Sequence, residues 1–260
     1  MTYETLDLAR DDRGVVTVTL NLPETRNAMS GAMIAELTDL AGALGDDGSM
    51  RAVVLAGAGK VFCAGGDLTW MKAQIAADRA TRIREATKLA QMLRALNEMP
   101  KPLIGKLHGA ALGGGVGLAC VCDVALAATG TRFGLTETRL GLIPATIGPY
   151  VLARMGEGRA RRVFMSARLF EAEEAAELGI IARAVPPEDL DDAIEAEVLP
   201  YLSVAPKAVG AAKALARSLG PRIDDAVIED TIRRLADTWE GEEAAHGIGA
   251  FLDKTPPRWA

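Results

Sequence analysis

The chain has 260 residues, 49% of them hydrophobic, and a net charge of −6 with a pI near 5.1. That length and apolar share fit one large core plus an appendage and exclude a disordered chain, while the acidic balance argues against non-specific binding to nucleic acid or anionic membrane. The opening Met1-Thr2-Tyr3-Glu4 has neither a basic nor an apolar leader segment, and no apolar run reaches the roughly 18 residues of a membrane span, so a soluble cytoplasmic protein is expected.

Leu6-Asp7-Leu8 and Val15 to Leu20 flank Asp11-Asp12-Arg13-Gly14 and read as a hairpin. Ser30 is an N-cap candidate before Met33, Ile34, Leu37, Leu40, Ala41 and Leu44, whose spacing predicts a helix. Ala52 to Ala56 is a continuous apolar run ended by Gly57, the signature of a strand buried on both faces. Asp78 caps a long helix over Ile83 to Leu96 that Pro100 and Pro102 stop, and Leu103 to Leu107 is the next strand. A helix over Val116 to Cys122 and a strand over Val124 to Ala127 follow.

Past Pro186-Pro187 the strand signal ends and helical runs cover Leu190 to Leu202, Lys207 to Leu219, Asp224 to Trp239 and Glu242 to Leu252. The chain therefore divides into an α/β core over 1–187 and a helical region over 188–260. With little core of its own, that tail is expected to pack on a neighbouring copy.

The cysteines, Cys63, Cys120 and Cys122, are spaced neither as a disulfide framework nor as a zinc pair and read as reduced core thiols. Neither a metal nor a cofactor is called for.

Two glycine turns carry the chemistry: Phe62-Cys63-Ala64-Gly65-Gly66-Asp67 and His108-Gly109-Ala110-Ala111-Leu112-Gly113-Gly114-Gly115, with a carboxylate, Glu137, downstream. Glycine lets a main-chain N–H approach a ligand closely, and a strand-to-helix junction leaves such amides free. If the turns converge, N–H groups from Gly66 and Gly114 would hold an oxygen as it becomes an oxyanion, each donor contributing roughly 3 kcal/mol in the transition state. Taken singly, each turn also reads as tight packing and nothing more. The Gly-Gly-Gly-Val-Gly run lacks the spacing of a dinucleotide fingerprint, which disfavours a nicotinamide cofactor.

These segments resemble the enoyl-CoA hydratase/isomerase (crotonase) superfamily. Phe62 to Leu68 and Gly109 to Gly115 are similar to its two oxyanion segments, and Phe133-Gly134-Leu135-Thr136-Glu137 with Leu140-Gly141-Leu142-Ile143-Pro144 to its acid-bearing segment. Arg26-Asn27-Ala28-Met29-Ser30 and Phe251-Leu252-Asp253-Lys254 extend the resemblance over nearly the whole chain. It implies a spiral of ββα units with a C-terminal helical trimerisation region, a homotrimer or hexamer, and a coenzyme A thioester as substrate. By the same resemblance Glu137 is the acid/base and Gly66 and Gly114 supply the amides. Ala64 borders the adenine pocket, Arg26 and a neighbouring subunit's Lys254 approach the phosphates, and Ala28, Asp67, Leu68 and Phe251 belong to the substrate-binding set. Solvated side chains are the alternative for Arg26 and Lys254.

The chain departs from the pattern at Gly117, where two-carboxylate hydratases have glutamate, and at Ala145-Thr146-Ile147-Gly148-Pro149-Tyr150. Together these features look like bacterial methylglutaconyl-CoA-type hydratases, which would ask for a cation near the acyl end, with Arg139 or Lys72 as candidates. One carboxylate suffices for hydration of a 2-enoyl-CoA or for Δ3–Δ2 isomerisation; an acyl-CoA-binding protein with weak or no catalysis is the alternative from another class. Several residues keep two readings: His108 as a substrate contact or a structural histidine, Asp67 as a helix cap, and Trp70 with Met71 as an acyl-pocket wall or plain packing. Arg159-Ala160-Arg161-Arg162 reads as a solvated helix face.

Overall fold

The computed structural model describes residues 2–260, so Met1, where the N-terminal reading begins, lies outside the described residues. Leu6–Arg10 (β1) and Val15–Leu20 (β2) form the expected hairpin, with Leu6 opposite Leu20 and Arg10 opposite Val16. Asp11 builds its turn by accepting from the N–H groups of Arg13 and Val15, each at 2.9 Å, the local bonding that suits Asp to turns.

The chain continues through α1 (Gly31–Asp46), β3 (Ala52–Gly57), α2 (Leu68–Ala76), α3 (Arg79–Glu98), β4 (Leu103–Leu107), β5 (Ala110–Leu112) and α4 (Gly114–Val121). Next come β6 (Val124–Ala128), β7 (Arg132–Gly134), α5 (Gly148–Met155), α6 (Glu157–Phe164), β8 (Phe170–Glu171), α7 (Ala172–Leu178) and β9 (Arg183–Val185). The tail is α8 (Leu190–Val198), α9 (Pro206–Leu219), α10 (Asp225–Trp239) and α11 (Glu242–Leu252). The caps sit where the residue types call for them: Ser30 accepts from Met33 N–H at 3.2 Å and Asp78 from Thr81 N–H at 2.8 Å.

Two sheets result, one in the order β1-β2-β3-β4-β6-β9 and a smaller one in the order β5-β7-β8. Beyond the hairpin the larger sheet is parallel. The steps from β4 to β5 and from β6 to β7 carry the chain from the larger sheet to the smaller across Gly109 (φ +66°) and Gly130 (φ +79°). At Gly109 only glycine fits, since a Cβ there would lie 2.0 Å from the Lys60 carbonyl oxygen. Strand, strand and helix recur in this way, as β4, β5, α4, which is the expected mixed α/β spiral.

Val53 and Leu55 of β3 face a core shared with Met33, Leu37 and Met92, while Val54 packs on the opposite side with Ile104, Ile194 and Val198. Helices therefore cover both faces of the larger sheet, and this is why β3 reads as an unbroken apolar run. Each such side chain contributes about 1.5–3 kcal/mol on burial.

The tail helices α10 and α11 also pack on the core of their own chain. Ile228 and Ile232 of α10 pack on Ala86 and Ala90 of α3, and α11 packs on the segment around Leu140 and Leu142. These helices thus bury their apolar faces within the same chain. Among the described residues no helix is long and apolar enough to cross a membrane.

Candidate active site

The two glycine turns meet. Residues 62–67 run between the 26–29 segment and β5: Ala64 N–H donates to Arg26 O (3.0 Å) and Met29 N–H to Gly65 O (2.8 Å) on one side. On the other, Cys63 N–H donates to Ala110 O and Leu112 N–H to Cys63 O, both at 3.0 Å. A Cβ on Gly65 (φ +98°) would lie 3.0 Å from Leu112 O and 3.9 Å from Gly114 N, and one on Gly115 would lie 2.5 Å from Cys63 O. The turns approach too closely for side chains at Gly65 and Gly115, which is the packing reading of these two glycines.

Neither Gly66 nor Gly114 donates its N–H to an acceptor among the described residues. Gly66 is exposed and Gly114 half-exposed. Gly114 opens α4, so its amide sits at the positive end of the helix dipole.

Asn27, quoted in the sequence only as part of a motif, holds this arrangement together. It is fully buried in the left-handed region (φ +53°), a conformation Asn tolerates better than most residues. Its Oδ1 accepts from Leu22 N–H (2.9 Å), and its Nδ2 donates to Ala58 O (2.8 Å) and Val61 O (2.9 Å). The side chain thereby fastens the 26–29 segment to the loop that becomes the Gly66 turn. The run Arg26-Asn27-Ala28-Met29-Ser30 is the available signal, but nothing local says which distant carbonyls the Asn reaches.

Glu137 begins a short 3-10 turn, Glu137–Leu140, just after β7. Gly113 N–H donates to Gly134 O at 2.8 Å, which draws this segment against the second glycine turn. A Cβ on Gly113 would lie 3.2 Å from Glu137 Oε1. The residue as a whole is half-buried, yet Oε2 is covered and has no hydrogen-bond partner among the described residues. Burial pushes the Glu137 carboxyl up to about 7, against a smaller opposing hydrogen bond from its own backbone. One carboxyl poised near neutrality beside a free helix-terminal amide can both accept and return a proton.

Helix α11 walls this turn from the C-terminal side. A Cβ on Gly141 would lie 2.5 Å from Glu243 O, and one on Gly247 2.6 Å from the Leu140 carbonyl carbon. Backbone meets backbone here, so the acid's turn rests on α11 of its own chain.

The remaining candidates divide. Ala64 and the exposed Arg26 are joined by the 3.0 Å backbone bond and border the first turn, with Ala28 buried beside them. Asp67 spends its carboxylate as the N-cap of α2, accepting from Trp70 N–H at 2.9 Å, and Leu68 is exposed. Phe251 and Lys254 are exposed at the end of α11, and Lys254 has no ion-pair partner among the described residues. His108 Nε2 donates to Gly59 O at 2.9 Å, the structural reading. Arg139 donates to Ala167 O at 3.1 Å, while Lys72 is exposed. On α6, Arg161 and Arg162 pair with Glu157 and Glu174 on a solvated face. All three cysteines are free and buried, and burial pushes their thiols up to about 12.

Gly117 has no room for a side chain. A Cβ there would lie 2.4 Å from Ile147 Cγ2 and 3.7 Å from Leu93 Cδ2. The space that a second carboxylate would need is filled with hydrocarbon from the Pro144–Tyr150 turn. Clefts of about 300 and 370 Å³ open elsewhere, near Glu195 and near Arg154, and neither includes Glu137. Neither cleft is lined by a residue of the two glycine turns.

The model of the enoyl-CoA hydratase/isomerase family matches residues 10–260. The chain belongs to the enoyl-CoA hydratase/isomerase family. Within that family it is 31% identical over 252 residues to the enoyl-CoA hydratase AKT6-1 of Alternaria alternata, covering 96% of this chain and 80% of that protein. Among solved structures, the enoyl-CoA hydratase of Mycobacterium smegmatis is 35% identical, with a TM-score of 0.80 over 98% of this chain and 99% of that one. Pseudomonas aeruginosa AtuE is 40% identical, with a TM-score of 0.80 over 99% of this chain and 100% of that one.

Proposed function

We propose that the protein is an enoyl-CoA hydratase that adds water across the 2,3 double bond of an acyl-CoA thioester, with Glu137 moving the proton. The observation that carries this reading is the Glu137 carboxylate, set against Gly113 beside the unengaged Gly114 amide. The hydratase names of its relatives support it.

The thioester oxygen accepts from the N–H groups of Gly66 and Gly114, which stabilise the enolate as charge moves onto that oxygen. Ionised Glu137 takes a proton from water as the water oxygen bonds to the β-carbon. The resulting carboxylic acid then delivers a proton to Cα, which restores Glu137 and leaves a 3-hydroxyacyl-CoA. No external acid, oxidant or cofactor enters the balance. The hydrocarbon over Gly117 supports assigning the proton work to a single carboxylate.

The coenzyme A moiety lies along Arg26, Ala28 and Ala64, beside the first turn, with a branched or methylglutaconyl-like acyl group as the finer assignment. A cytoplasmic homotrimer or hexamer is the proposed assembly, supported by Leu215 and Leu219, 60% and 80% exposed one turn apart on α9.

Incubating the purified protein with 2-enoyl-CoA and 3-enoyl-CoA esters, read by mass spectrometry, tests the reaction. Mass gain by one water from the 2-enoyl ester is expected. Migration of the double bond in the 3-enoyl ester without water gain identifies an isomerase, and tight binding with neither product identifies an acyl-CoA carrier.

A further inference from the structure

Two polar atoms on α2 are buried with no hydrogen-bond partner among the described residues: Trp70 Nε1, a donor, and Gln74 Oε1, an acceptor. The residues stand four apart and so share one helix face. Gln74 is only 3% exposed. The two atoms are complementary, a donor and an acceptor, and do not bond to each other.

This face belongs to the Glu137 site. Helix α2 opens two residues after Gly66, and Met71 Cγ comes within 4.0 Å of the Cβ position on Gly66. Trp70 and Met71 pack in one cluster with Leu140 and Leu142, just beyond Glu137, and with Trp239 and Ile248 of the tail. The wall therefore begins at the first oxyanion amide and reaches Gln74 about 9 Å further along the helix, at ~1.5 Å per residue. Its buried polar atoms without a partner among the described residues are the Trp70 indole N–H and the Gln74 carbonyl oxygen.

A purely hydrocarbon acyl chain would leave both atoms unpaired in the complex, with their desolvation uncompensated. A carboxylate would accept from Trp70 but would set a negative oxygen against Gln74 Oε1. The nearest guanidinium is already committed, because Arg82 donates to Gln74 O (2.9 Å) and Ile75 O (3.0 Å) and lies over the Trp239 ring. A hydroxyl accepts one hydrogen bond and donates another, which matches both atoms. We propose that Trp70 and Gln74 form a subsite for a hydroxyl group carried toward the far end of a medium-length acyl chain, Trp70 Nε1 donating to it and Gln74 Oε1 accepting from it. This inference rests on the acyl-CoA reading of the site.

The test compares three 2-enoyl-CoA esters of equal chain length: one unsubstituted, one bearing a hydroxyl near the chain end and one bearing a carboxylate there. Wild type is expected to favour the hydroxyl ester in kcat/KM by about 10–100-fold over the unsubstituted one, the range of one to two satisfied hydrogen bonds. Trp70→Phe and Gln74→Met should each collapse that ratio toward unity. An unchanged ratio in both variants, or a preference for the carboxylate ester in wild type, overturns the proposal. If none of the esters is turned over, the hydratase reading fails by itself. Competitive binding of the same three esters to wild type and both variants then decides the subsite, since a hydroxyl preference lost in the variants supports it and equal affinities overturn it.

Discussion

Glu137 Oε1 lies 3.2 Å from the point where a Cβ on Gly113 would stand, and Gly113 itself has φ +50°. The glycine that turns the chain into α4 is therefore also the surface on which the carboxylate rests. A methyl group at Gly113 would strain the backbone and press on the acid together. Gly113→Ala is expected to cost about 1–3 kcal/mol in chemical denaturation and to lower kcat about tenfold. Glu137→Gln, which leaves the fold's packing intact, should lower kcat by about 10²–10⁴ with little change in KM. Full turnover by Glu137→Gln would remove this residue from the mechanism.

The raised Glu137 carboxyl has opposite consequences for activity and stability. Hydration needs the ionised form, so kcat should rise with pH through a midpoint near 7. Because the folded-state value of about 7 lies above the ordinary 4.5, the native protein holds a proton that the unfolded chain releases between those values. Stability contributed by this group is thus lost as pH rises from about 4.5 to about 7. Glu137→Gln should accordingly gain stability over wild type at pH near 8, on the order of 1–3 kcal/mol, and gain nothing near pH 4. Denaturant titrations of both proteins at the two pH values measure this.

At Gly66 the amide and the side-chain position can be tested separately. The nearest atom to a Cβ there is Met71 Cγ at 4.0 Å, so Gly66→Ala should fold and keep most of its turnover. Gly66→Pro removes the N–H and should lower kcat by about 10²–10³. Equal activity of the two variants would show that this amide does not face the reacting oxygen.

Gly117 and Ile147 should behave as one unit. With a Cβ only 2.4 Å from Ile147 Cγ2, Gly117→Ala should cost about 1–3 kcal/mol through overpacking. Ile147→Ala removes that methyl and leaves a cavity, at about 2–5 kcal/mol. The double variant should cost less than the sum, with a coupling of about 0.5–3 kcal/mol in a denaturation cycle. Gly117→Glu should lose stability and gain no hydration, since its carboxylate would enter hydrocarbon.

Local chemistry accounts for what was legible. The Asp11 turn, the caps at Ser30, Asp67 and Asp78, and the two-faced burial of β3 all follow from neighbours in sequence. The strands β5, β7 and β8 were missed because two or three residues carry no periodicity. Asn27 was visible as a residue but not as a junction, since its partners Ala58 and Val61 lie 31 and 34 positions away. The tail helices are legible as amphipathic, but not the intrachain contacts of α10 with α3 and of α11 with the Leu140–Leu142 segment, because an apolar stripe does not state what it meets.

The sequence by itself determined the family pattern, the two glycine turns, the single carboxylate and the absence of one at Gly117. Only the tertiary structure decided that the turns pack on one another, that Glu137 is covered enough to be raised to about 7, that Ile147 fills the space over Gly117, and that α11 rests on the acid's own chain. The division has a physical cause: turns, caps and amphipathic faces are set by interactions within a few residues. Desolvation and steric exclusion depend on atoms that the chain brings together only when it folds.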